Sequence, residues 1–177
     1  LTLLLLLMWW QPHNLFRSGE GAHTYRIPSL LTLGGGVLLC FAQGKTSGVG
    51  DLEPSGVFMR RSTDGGASWL PSEQVLPATS ANTSVLNISR LGGSPISMQS
   101  SQMQSSQMQI SQQALYDPRS DTVFLFVNAM PLDDLCGPCT VYMTRSHDRG
   151  ESWSLAVPLL GKSTLGSALG SGVLLRR

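Results

Sequence analysis

The sequence predicts an all-β chain built from a repeated four-stranded unit, and three observations carry that prediction. First, Ser62-Thr63-Asp64-Gly65-Gly66-Ala67-Ser68-Trp69 returns as Ser146-His147-Asp148-Arg149-Gly150-Glu151-Ser152-Trp153, and both copies read Ser-x-Asp-x-Gly-x-Ser-Trp. Second, each copy follows a short apolar run ending in Arg, Val57 to Arg61 and Val141 to Arg145. A strand, a tight turn and a Trp, twice in one chain, mark a repeated β unit. Third, the 19 Gly and 10 Pro, with charged residues at only 13%, suit many short strands joined by turns, and no stretch has the periodicity of a helix longer than two turns.

Within each Asp turn, the Asp can accept hydrogen bonds from backbone N–H groups of its own turn, the Gly supplies a positive φ, and the Trp covers the turn and joins the core. Ser62, Asp64, Gly66 and Trp69, with Ser146, Asp148, Gly150 and Trp153, therefore read as structural, since nothing in them needs an open pocket or a perturbed pKa.

Residues 15–77 form the first unit. Leu15-Phe16 is a short apolar pair before a Gly-rich turn. Tyr25 to Leu33 reads as a strand, with Pro28 tolerable only near a start or on an edge. Gly34-Gly35-Gly36 is a turn, and Val37 to Ala42 is a continuous apolar run, hence a strand buried on both faces. Gln43 to Ser55 reads as a loop, Gly56 to Arg61 as the third strand, and Gln74-Val75-Leu76 as a short outer strand. Four such antiparallel strands make one propeller blade. Residues 78–113 are polar and of low complexity, with Met98 to Gln109 a near-repeat; they read as a disordered or loosely attached insertion, or as an intron or repeat read through. Residues 114–160 form the second unit: Ala114-Leu115-Tyr116, a turn at Asp117 to Asp121, strands at Thr122 to Val127 and Thr140 to Arg145, the second Asp turn, and a weak outer strand near Leu155-Ala156-Val157. Residues 161–177 are a Gly- and Ser-rich tail with one apolar run, Val173-Leu174-Leu175.

At 177 residues the length fits one domain, and a net charge of +1 argues against nucleic acid and against an anionic membrane surface as partners. The chain does not begin with Met, so an incomplete N-terminus is expected. Leu1 to Trp10 is almost wholly apolar, too short to span a bilayer but as long as a signal-peptide h-region; residues 1–14 read as a signal remnant, with a buried first strand or a gene-model error as the alternatives. Asn82-Thr83-Ser84 and Asn87-Ile88-Ser89 are N-glycosylation sequons, which with that apolar start favour the secretory pathway. Cys136-Gly137-Pro138-Cys139 has the spacing of a redox dithiol, but Asp133-Asp134 before it would raise a thiol pKa and a strand, not a helix, follows. A loop disulfide or idle thiols fit better.

Tyr25-Arg26-Ile27-Pro28 ahead of two Asp turns resembles the start of a sialidase of the animal type, in which a [Phe/Tyr]-Arg-[Ile/Val]-Pro motif precedes several Asp-boxes. The resemblance covers Phe16 to Leu31, Leu38 to Trp69 and Ala114 to Trp153, and the Cys-bearing loop and Gly170-Ser171-Gly172-Val173 lean toward the lysosomal branch. It implies a six-bladed β-propeller, of which about two blades are present here, and an exo-α-sialidase that releases terminal sialic acid from glycoproteins, oligosaccharides and gangliosides. It implies no metal and no cofactor. It also implies sialylated glycans as partners, a lysosomal or secretory location with cytoplasm or membrane periphery as rivals, and membrane association through substrate or partner proteins.

The chemistry explains the residues. Sialic acid carries a carboxylate on its anomeric carbon, and a planar carboxylate is best held by Arg forks. Arg26 matches the first Arg of the family's three-Arg clamp. Asp51 matches the general acid, able to protonate the leaving glycosidic oxygen, with Glu53 a rival two residues on. The family's nucleophile is a Tyr assisted by Glu, because a carboxylate nucleophile would be repelled by the substrate's own carboxylate. Three departures matter. Gln43-Gly44-Lys45 stands where the family has Glu-x-Arg, so Lys45 keeps a charge but loses the fork and is a weak substrate-binding candidate. Ser111-Gln112 stands where the family often has Asn-Pro. The remaining clamp Args, the Tyr and the Glu have no counterpart here, and neither Tyr116 nor Tyr142 is assigned that role. The rival readings are a non-catalytic Asp-box propeller, a binding module needing neither Tyr-Arg-Ile-Pro nor Asp51, and a thiol oxidoreductase acting through Cys136 and Cys139.

Overall fold

A computed structural model describes residues 14–50, 53–76, 108–131 and 139–163. The expectations resting on residues 1–13, Asp51, Asn82, Asn87 and Cys136, with most of the insertion and tail, lie outside these residues; for Cys139 only the backbone is described.

The described chain forms two antiparallel four-stranded sheets, each with its strands side by side in chain order. The first comprises β1 (Thr24–Gly34), β2 (Val37–Lys45), β3 (Ser55–Ser62) and β4 (Glu73–Leu76), and the second β5 (Met108–Asp117), β6 (Thr122–Pro131), β7 (Cys139–Ser146) and β8 (Val157–Ser163). The all-β class and the repeated meander follow the sequence pattern closely. Pro28 lies in β1, which is an edge strand, and the ladder to β2 is interrupted between Arg26 and Ser29 where the proline falls. An edge and a bulge are where a residue without an N–H can sit.

Several boundaries differ from expectation, for one physical reason. β2 continues through Gln43 and Gly44 to Lys45, so these residues are strand and not loop. Their polarity is satisfied across the sheet: Gln43 Nε2 donates to Ser55 Oγ at 3.0 Å with both side chains buried. β5 begins at Met108, so Met108 to Gln113 belong to the sheet and not to the insertion; their backbone pairs with Pro131 to Phe126 in unbroken register. A ladder hydrogen-bonds backbone to backbone, so it does not require apolar side chains. β6 runs on to Pro131, and β8 takes Gly161 to Ser163 from the expected tail.

The core lies between the sheets. Leu39, Phe41, Val57 and Met59 of the first sheet meet Val123, Leu125, Val127 and Ala129 of the second in one buried cluster. β5 packs over β1, β2 and β3. Burying each of the Leu, Val, Phe and Met side chains among them contributes roughly 1.5–3 kcal/mol relative to exposure. The far face of the second sheet is thinly covered: Phe124 and Phe126 stack with centroids 6.5 Å apart, only partly buried, and Val157 is 49% exposed.

Candidate active site

The chain direction separates two ends of each sheet. The Asp turns and the β1–β2 hairpin share one end, as the bond from Gly65 N to Gly36 O at 2.8 Å shows. At that end the two Asp turns are built alike. Asp64 Oδ1 accepts from Ser68 N at 2.9 Å and Ser62 Oγ at 2.8 Å, and Ser62 Oγ accepts from Gly66 N at 2.9 Å. Asp148 Oδ1 accepts from Ser152 N at 2.9 Å and Ser146 Oγ at 2.7 Å, and Ser146 Oγ accepts from Gly150 N at 2.7 Å. In each, the second Ser hydroxyl also donates to Oδ2. Gly66 (φ 93) and Gly150 (φ 87) supply the left-handed backbone. Each carboxylate thus accepts three bonds from its own turn, which suits scaffolding.

The two Trp residues differ. Trp153 is 6% exposed and meets Phe41 edge-on with ring centroids 5.8 Å apart. Trp69 is only half-buried and donates from Nε1 to Gly66 O at 3.1 Å. The second turn rests on the first sheet, where Arg61 pairs with Glu151 at 3.0 Å and donates from Nε to Arg149 O. Among the described residues no sheet stands against the first turn in the same way. The expectation that both rings join the core holds for Trp153 alone.

The opposite end holds Arg26 and Lys45, two of the residues singled out in the sequence. Arg26 is exposed near the start of β1, directly opposite Gln43, while Thr24 stands opposite Lys45; in-register neighbours share a face, so Arg26 lies on the face that carries Gln43 and Lys45. The next residue, Ile27, takes φ 51, an uncommon left-handed conformation for a β-branched side chain. Its carbonyl accepts from Gln112 Nε2 of β5 at 2.8 Å.

The loop between β2 and β3 is pinned at this same end. Lys45 is fully buried and its Nζ donates to Gly50 O at 2.6 Å, so it secures the loop from beneath. Thr24 Oγ1 donates to Gly48 O at 3.1 Å, and Thr46 N donates to Pro54 O at 3.0 Å. Ser47 Oγ donates to Glu53 Oε2 at 2.6 Å, which engages that carboxylate within the loop. Asp51 follows Gly50 in this loop and itself lies outside the described residues. Arg26 and the loop bearing Asp51 therefore share one end, remote from both Asp turns.

A cleft of about 460 Å³ lies nearby, walled by Gly21, His23, Gly44, Lys45, Phe58 and Gln74. It excludes Arg26 and opens by Gly44 and Phe58, on the other face of β2, where a Cβ on Gly44 would stand 2.4 Å from the Phe58 ring. We therefore do not assign it to a carboxylate-bearing sugar. Among the described residues no group of three His, Cys, Asp or Glu side chains comes together to hold a metal. Cys40 is buried, which pushes its thiol up to about 11 and leaves it a packing residue.

Sequence reasoning missed Gln43, Ser55 and Gln112 as parts of this end. Gln43 had a signal, as a polar residue continuing an apolar strand. Gln112 stood out only as a departure from the family's Asn-Pro, and its contact with Ile27, 85 residues away, had no signal.

No family model matches the chain. Over 59 residues, 33% of its length, it is 41% identical to a sialidase from Micromonospora viridifaciens, and that stretch is 9% of the relative. In fold it is similar to the Hadza microbial sialidase Hz136, with a TM-score of 0.58 and 21% identity over 80% of this chain and 27% of that one. It is likewise similar to the intramolecular trans-sialidase from Ruminococcus gnavus solved with oseltamivir carboxylate, with a TM-score of 0.60 and 16% identity over 82% of this chain and 51% of that one. The chain thus spans about half or less of the length of these proteins, and its likeness to the solved structures is one of fold.

Proposed function

We propose that this chain is the N-terminal part of an exo-α-sialidase, two blades of a six-bladed propeller, acting on terminal sialic acid of glycoproteins, oligosaccharides and gangliosides. The observation that carries the reading is the shared position of Arg26 and the pinned loop of Asp51 at the sheet end opposite the Asp turns. Sequence similarity to a bacterial sialidase and fold similarity to two further ones support it. The animal-type and lysosomal assignment rests on the motif resemblance; the relatives named above are microbial.

In this reading Arg26 holds the substrate carboxylate as a two-toothed fork, and Asp51 protonates the leaving glycosidic oxygen. Lys45 contributes a charge beneath the loop and fixes the loop's position, so it acts on the sugar through Asp51. The Tyr nucleophile, its Glu partner and the other two Arg forks come from blades beyond this stretch. Asp51 is preferred to Glu53 because Glu53 is already bonded to Ser47.

The test is Asp51→Asn in a protein that carries this sequence and turns over sialosides. Loss of the acid should cut turnover of a natural sialoside by roughly 10²–10⁴-fold, while an activated aryl sialoside, needing little proton donation, is largely spared. Equal losses on both substrates would overturn the general-acid role of Asp51 and transfer it to Glu53.

A further inference from the structure

Ile27 is a β-branched residue held at φ 51, immediately after Arg26 and immediately before Pro28. Such a conformation is strained and persists only where the surroundings over-determine it. Pro28 does not supply that constraint, since a proline restricts its predecessor toward extended backbone. The β1–β2 ladder does not supply it either, because the register skips between Arg26 and Ser29. The contact that does reach this point is the bond from Gln112 Nε2 to Ile27 O at 2.8 Å. Gln112 is 3% exposed on the second sheet, and its Oε1 has no hydrogen-bond partner among the described residues. A buried amide acceptor left unpaired is costly, so the site gives up one bond to place a donor on that carbonyl. The reverse amide orientation would set oxygen against oxygen.

We propose that Gln112 is a positioning residue: by clamping the Ile27 carbonyl from the neighbouring sheet, it fixes the bulge that aims Arg26 at a sialoside carboxylate. The aim of Arg26 rests on the sialidase reading above; the clamp does not. Recognition by a fork demands side-chain placement to about half an ångström, which a free edge strand does not give. The clamp also makes the fork depend on the docking of the second sheet, so the two sheets form one binding element.

The experiment compares the wild-type chain with Gln112→Met and Arg26→Ala. Gln112→Met keeps the length of the side chain and removes its donors. Backbone NMR shifts report the left-handed state of Ile27, and saturation-transfer NMR reports binding of methyl α-sialoside. Expected is a Gln112→Met variant that still melts cooperatively, loses the left-handed signature at Ile27 and binds the sialoside roughly tenfold more weakly, while Arg26→Ala abolishes binding. A left-handed Ile27 persisting in Gln112→Met would overturn the clamp. A relaxed Ile27 with unchanged affinity would overturn its aiming of Arg26. Absence of sialoside binding by the wild type would instead overturn the reading of Arg26, with the Ile27 signature still deciding the clamp. If Gln112→Met does not fold, Gln112→Leu is the second variant, since it also removes the donors, and the same two readouts decide it.

Discussion

Asp64 and Asp148 make the same bonds in turns of the same design, and both titrate low for that reason. The hydroxyl and amide of Ser68, then the hydroxyl of Ser62, hold the Asp64 carboxyl at about 2. Burial works to raise Asp148, but the bonds from Ser152 and Ser146 outweigh it and the net direction is down. A carboxyl near 3.9 in the unfolded chain and lower in the folded one stabilises the fold above that pH, and the contribution is lost as pH falls toward the folded value. Melting temperature should therefore drop between about pH 4 and pH 2, with Asp117 and Asp121, also held low, adding to the slope. Asp148→Asn should melt lower than wild type at pH 7 and lose less on acidification; parallel curves would contradict this. The Trp residues should separate the two turns further. Trp153→Ala should cost about 3–5 kcal/mol in urea denaturation and half-buried Trp69→Ala clearly less. Equal losses would mean that the second turn does not rest on the first sheet.

The strands show how far the sequence could be read and where it stopped. β2 and β6 were legible because continuous apolar runs such as Val37 to Ala42 and Thr122 to Val127 have no place but a buried sheet. Their extensions were not, since Gln43, Lys45 and Gln112 are polar yet buried, and polarity in a sequence reads as loop until a cross-strand partner is seen. The same limit applied to the site. Arg26 stands out through a local motif, whereas the side chain that bonds to the bulge beside it, Gln112, comes from the other sheet. The turn element itself makes a prediction. Gly150 and Gly65 both have positive φ, but a Cβ on Gly150 would stand 2.9 Å from the Leu39 side chain of the other sheet, while one on Gly65 would meet nothing within 4 Å. Gly65→Ala should cost roughly 1–2 kcal/mol of backbone strain, and Gly150→Ala that cost plus roughly 1–3 kcal/mol of overpacking. Equal Tm shifts would contradict the wedging of the second turn against β2.

Across the whole molecule one end of the sheets carries Arg26 and the loop pinned by Lys45, and the opposite end carries two turns closed by their own hydrogen bonds. A four-stranded blade takes about 40–45 residues, so a six-bladed ring needs roughly 250 or more. The 177 residues alone should show no sialidase turnover, because removing any essential member of a cooperative catalytic set costs orders of magnitude. They should also self-associate as concentration rises, through the thinly covered face around Phe124, Phe126 and Val157. The most direct test of the account is saturation-transfer NMR on this chain with methyl α-sialoside and, in parallel, the same sugar with its carboxyl group methylated. The account predicts weak binding, about millimolar, of the free carboxylate only, lost in Arg26→Ala and retained in Asp51→Asn. Equal signals from the two sugars, or binding that survives Arg26→Ala, would contradict it.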